Sequence, residues 1–202
     1  MYQKLVQWLP LIIASIGALT ALHQIRSNNI TNARIRWLEN FKYLLSDFVS
    51  ECTALIIEDG VSKAFNEKGD EYINEVAKSY YTKIIERVVD HLKVIESNHD
   101  LIKLNLNPKE KLHIKFERVL DIYMEYVNKL PACKSLEEYN ELTKKMRPYS
   151  NALTLLARYI VKLEWERTKK SFLYKVYYMK FGKGKIVLNE AINLEILPET
   201  SV

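Results

Sequence analysis

Eighteen consecutive residues without a charge, Leu5 to Leu22 (LVQWLPLIIASIGALTAL), constrain this chain more than any other feature. Only Gln7, Ser15 and Thr20 interrupt the run with polar side chains. At 1.5 Å per residue such a helix is roughly 27 Å long, against a hydrocarbon core of about 30 Å. Trp8, an interfacial type of residue, lies near one end, and Ile13 and Gly17 lie in the middle. Leu22 closes the run before His23, Gln24 and Arg26. Pro10 stands in the first two turns, where a missing backbone donor costs least. The expectation is an N-terminal transmembrane helix with the lipid bilayer as its partner. A cleavable signal peptide is the weaker alternative, because the plausible cuts would need small residues where Leu19 or Thr20 stands. A buried core helix is the other, since eighteen residues is the lower limit for a span. Lys4 precedes the run, whereas Arg26, Arg34, Arg36 and Lys42 follow it. The positive-inside rule then makes this a single-pass protein of a bacterial inner membrane, with residues 23–202 in the cytoplasm.

The remainder reads as all-α. Five glycines and five prolines in 202 residues are too few for the turns of a sandwich or barrel. After a polar link, Ser27–Asn29, apolar residues recur at helical spacing: Ala33, Trp37, Phe41, Leu44, Leu45, Phe48, Cys52, Leu55 and Ile56. Asp59-Gly60 reads as the end of that helix and Val61–Gly69 as a loop. A second helix is expected over 70–97, with Ile73, Val76, Ala77, Tyr80, Ile84, Val88, His91 or Leu92, and Ile95 inward and a break at Ser97–Asp100. Asn107 reads as the cap of a third helix and Pro108 as its first residue, ahead of Leu112, Phe116, Val119, Leu120, Tyr123 and Val127. Ser135 and Glu138 form a capping box for a fourth helix, which carries Leu136, Tyr139, Leu142, Met146, Leu153, Leu156, Ile160 and Leu163. Pro148 should kink or divide it. The architecture expected is an antiparallel bundle of about four long helices. The chain divides into an anchor and link over 1–29, the bundle over 30–170, and an extension over 171–202.

Enzyme signatures are missing: no GxGxxG, P-loop, GxSxG or HExxH occurs. Phe181–Lys185 (FGKGK) lacks the length and hydroxyl of a phosphate loop. His23, His91, His99 and His113 show no metal-ligand spacing, so neither a catalytic residue, a metal site nor a cofactor is assigned. Cys52 and Cys133 lack regular spacing and read as buried free thiols. Between Arg158 and Lys185 nine basic residues face only Glu164 and Glu166, although the net charge of the chain is +5. Lys169, Lys170, Lys175, Lys180, Lys183 and Lys185 interleave there with aromatic residues including Tyr174 and Tyr178. Such a segment could stack on single-stranded nucleic acid, lie on anionic lipid, or pack on the protein's own core. The end of the extension reads as a turn with short strands.

Three motifs carry a resemblance: Arg34-x-x-Trp37 in ARIRWLENFK, the Asn107-Pro108 run in IKLNLNPKEK, and Glu164-Trp165-Glu-Arg167 in VKLEWERTKK. In this order the chain resembles a loose group of bacterial proteins with one N-terminal membrane helix and a helical cytoplasmic domain. That resemblance implies no reaction. In architecture alone it is similar to membrane effectors of anti-phage systems such as retrons, in which a partner restrains a toxic membrane protein. Arg34 and Glu164 are expected to pair between the first and last helices, covered by the tryptophans. The function expected is a non-enzymatic membrane effector or interaction protein, with a cytoplasmic protein partner or a homo-oligomer. A membrane-tethered nucleic-acid-binding module is the alternative.

Overall fold

Why the chain makes four helices is seen in a computed structural model that describes residues 2–67 and 75–169, with side chains over 13–65 and 78–168. Helix α1 spans Tyr2–Glu67, α2 Glu75–Asn105, α3 Lys111–Lys129 and α4 Leu136–Lys169, with a 3₁₀ turn at Leu130–Ala132. No strand occurs among the described residues, so the all-α expectation is borne out. The strands expected beyond residue 170 lie outside them.

Ladders of contacts give the directions. Going up α1, Trp37 meets Asn105, Asp47 meets Asn98 and Glu51 meets His91, so α2 runs antiparallel to α1. Phe41 packs on Phe116 and Phe48 on Tyr123, so α3 runs parallel to α1. Helix α4 descends again, from Tyr139 beside Ile56 to Glu164 near Arg34. The result is the up-down-up-down bundle that the periodicity predicts. Its core is the expected stripe: Phe41, Leu44, Phe48, Cys52 and Leu55 from α1 against Leu112, Phe116, Val119, Leu120, Tyr123 and Val127 from α3. Ile84, Val88, Ile95 and Ile102 come from α2, and Leu153, Leu156, Ile160 and Leu163 from α4. Cys52 and Cys133 are free and buried, and burial pushes the Cys52 thiol up to about 12.

The expected membrane anchor is corrected. Among the described residues no helix is long and apolar enough to cross a membrane. The apolar run Leu5 to Leu22 lies wholly inside α1, which begins at Tyr2. It then passes into His23, Gln24, Arg26 and Asn28-Asn29 without leaving α1. What reads as a separate span is therefore one end of a bundle helix, and a single-pass inner-membrane location loses its basis. Ile13 and Leu22 are exposed there, as is Gly17, while Trp8 lies where side chains are not described.

Two further expectations fail for local reasons. Asp59-Gly60 does not end α1. A Cβ at Gly60 would lie 3.2 Å from the Tyr139 ring, whose hydroxyl donates to the Ile56 carbonyl at 2.6 Å, so the glycine makes room for α4. Ser97–Asp100 does not break α2, because Asn98 donates to Asp47 at 2.8 Å and His99 meets Asp121 at 2.9 Å across helix interfaces. Pro148 does not divide α4. Half of the capping box at Ser135 forms: its Oγ accepts the Glu138 N–H at 3.1 Å, but the Glu138 carboxylate accepts the N–H of Lys134 at 2.8 Å rather than that of Ser135.

Asp59 is buried at 4% exposure, and its Oδ2 has no hydrogen-bond partner among the described residues. Burial raises its carboxyl above the ordinary value, and Lys63 at 4.0 Å opposes this only in part. The folded state then holds the proton more tightly than the unfolded chain, so stability falls as pH rises from the ordinary carboxylate range through the raised value. Asp59→Asn should raise the urea midpoint at pH 7 and flatten that decline; an unchanged pH profile would mean that Asp59 is fully solvated.

Candidate functional site

The three motifs meet at one end of the bundle, where α1, the α2–α3 turn and α4 enclose a cavity of about 250 Å³. Trp37 sets the floor. Its indole N–H donates to the carbonyl of Asn105 at 2.8 Å, satisfying one of the acceptors that the end of α2 leaves over. Its ring lies parallel to Phe41 at 5.4 Å and to His113 at 5.9 Å. Asn40 fastens the same corner by donating to the Asn105 side chain at 3.3 Å.

Asn107 turns the chain rather than capping α3. Its side-chain oxygen accepts the Lys109 N–H at 3.1 Å, its amide donates to Glu110 at 3.2 Å, and Pro108 sits in the turn. Helix α3 therefore begins at Lys111 with Glu110 as its cap residue. A carboxylate there faces the positive end of the helix dipole. The Asn107 N–H donates to Nδ1 of His113 at 2.9 Å. An Nδ1 that accepts carries no proton, so the neutral ring has its hydrogen on Nε2. Burial holds His113 below the usual histidine value; Glu110 opposes that shift and Arg167 adds to it.

Arg167 joins the acidic groups. Its Nη1 donates to both Glu110 oxygens at 3.0 Å and also bonds Glu164 one turn earlier. Glu164 is 7% exposed, and the guanidinium supplies the charge that its burial demands. Glu110, His113 and Glu164 also offer ligand atoms within 4.8 Å of one another, a set that could hold a metal. Two features close it in this state: the guanidinium occupies the carboxylates, and the Nε2 hydrogen blocks the only imidazole nitrogen left over.

The expected Arg34–Glu164 pair is half right. Both residues line the cavity, but the cation on Glu164 is Arg167, and no Arg34–Glu164 ion pair occurs among the described residues. Trp165 points elsewhere and is 46% exposed. Of the basic-aromatic segment, Lys169 is the last residue of α4, with its side chain not described. Lys170, Tyr174, Lys175, Tyr178, Lys180, Lys183 and Lys185 lie outside the described residues. Sequence reasoning missed Glu110 and His113, although their Glu-x-x-His spacing at the start of a helix was visible.

Trp165 borders a second depression, of about 720 Å³, between α1 and α4. Leu45 and Val49 face Ala157, Val161 and Trp165 across it, while Lys42, Arg158 and Lys162 line its edges, with no carboxylate among the described residues there. The i, i+4 pairs Leu45/Val49 and Val161/Trp165 form an apolar stripe beside the core one, which is the signal that could have revealed it. Comparison with protein-family models, curated proteins and solved structures finds no match for this chain.

Proposed function

We propose that this chain is a non-enzymatic docking protein that holds an acidic amphipathic helix of a protein partner in the α1/α4 groove. The supporting observation is the groove itself: among the described residues, an apolar floor left open beside the core, with three cations and no carboxylate around it. An amphipathic helix laid into such a groove buries its apolar face while its flanking acids meet the basic rim. Trp165 is the anchor, a large half-exposed aromatic of the kind that dominates interface energetics.

The test uses a synthetic helical peptide with leucines along one face and glutamates beside them, followed through Trp165 fluorescence. Saturable binding is expected, lost when the glutamates become lysines. A Lys42→Glu, Arg158→Glu, Lys162→Glu variant should prefer the lysine peptide instead, and Val49→Asp should bind neither. Equal binding of both peptides by the unmodified chain would refute the proposal.

A further inference from the structure

Among the described residues, the junction cavity presents two donors without acceptors. Arg34 lies half-buried in its wall, and no ion pair or hydrogen bond engages it among the described residues. His113 is 5% exposed at its side chain, and its Nε2–H makes no hydrogen bond among the described residues; Oε2 of Glu110 is 3.9 Å away. Glu110 and Glu164 are already held by Arg167, so they do not compete strongly for either donor.

We infer that this cavity is a binding site for a small monocarboxylate, held by the Arg34 guanidinium and the His113 Nε2–H. A guanidinium and a neutral imidazole N–H are matched by the two oxygens of one carboxylate, with the charged hydrogen bond to arginine the stronger. Charge selects the ligand. Arg34 and Arg167 balance Glu110 and Glu164, and His113 is neutral. A single negative charge is tolerated there, whereas a phosphate dianion would be repelled by two neighbouring carboxylates. Size selects further: about 250 Å³ corresponds to roughly eight waters at ~30 Å³ each, room for a short aliphatic acid. Trp37 and Leu106 supply apolar wall for its chain.

The measurement is a titration of the full chain with sodium propionate, observed through the imidazole nitrogen resonances and assigned with His113→Gln. The starting spectrum should show the proton of His113 on Nε2. Propionate should then move that resonance saturably, and Arg34→Gln should weaken binding at least about tenfold with an unchanged melting temperature. Inorganic phosphate and zinc chloride are the controls. A proton on Nδ1, no saturable shift, or an Arg34→Gln variant that binds as well would each overturn the inference. So would phosphate binding more tightly than propionate, or zinc displacing the His113 proton.

Discussion

Replacing Arg167 with methionine should cost about 3 kcal/mol of folding stability, the lower end of the range for breaking a buried ion pair. The apolar stem is kept, so the loss reports charge rather than packing. What remains is Glu164, 7% exposed, beside a second carboxylate at Glu110, with their shared guanidinium gone. Urea unfolding should show a lower midpoint with an unchanged slope. Adding Glu164→Gln should recover a large part of the loss, because the neutral amide no longer needs a cation. A charge that mattered little would leave the single variant within about 0.5 kcal/mol of the unmodified chain, as surface changes do. Arg167→Lys should restore only part, since the shorter lysine side chain carries its charge less far than the Nη1 that reaches both Glu110 and Glu164 here.

The other large effect expected is at Phe116. Its ring is fully buried in α3 and meets Phe41 edge to face at 5.6 Å. Phe116→Ala should destabilise by about 3–5 kcal/mol, combining lost transfer energy with a cavity that the helices cannot collapse into. Leu104 makes the contrast. It is 82% exposed, so Leu104→Ala should change the urea midpoint hardly at all. Equal effects at both positions would mean that the bundle core is not where the structure places it.

How far the sequence could be read differs between the core and the junction. Phe41, Phe48, Phe116 and Leu153 recur at helical spacing, and burial follows periodicity because a helix repeats its faces every 3.6 residues. Helix ends were read poorly wherever a polar residue or glycine had a distant partner. Asn98 looks like a breaker until Asp47 is beside it, and Gly60 looks like a terminator until the Tyr139 ring is seen against it. Neither partner is near in sequence. The junction is half legible: its three motifs converge, and the spacing of three between Glu164 and Arg167 already offers the cation that takes Glu164 in place of Arg34. A helix neighbour three residues away is already in place before the bundle closes. The apolar N-terminal run is the opposite case, a block set apart by composition that is continuous with a bundle helix.

Helix α1 continues unbroken from that exposed stretch into the bundle. Ile13 and Trp37 stand on one rod, roughly 36 Å apart. One continuous helix thus carries both the exposed stretch and the Trp37 wall of the junction cavity. The same rod carries Lys42, Leu45 and Val49 into the groove. Both depressions therefore share α1 as a common wall, so a substitution that shifts this helix would be felt in the two together.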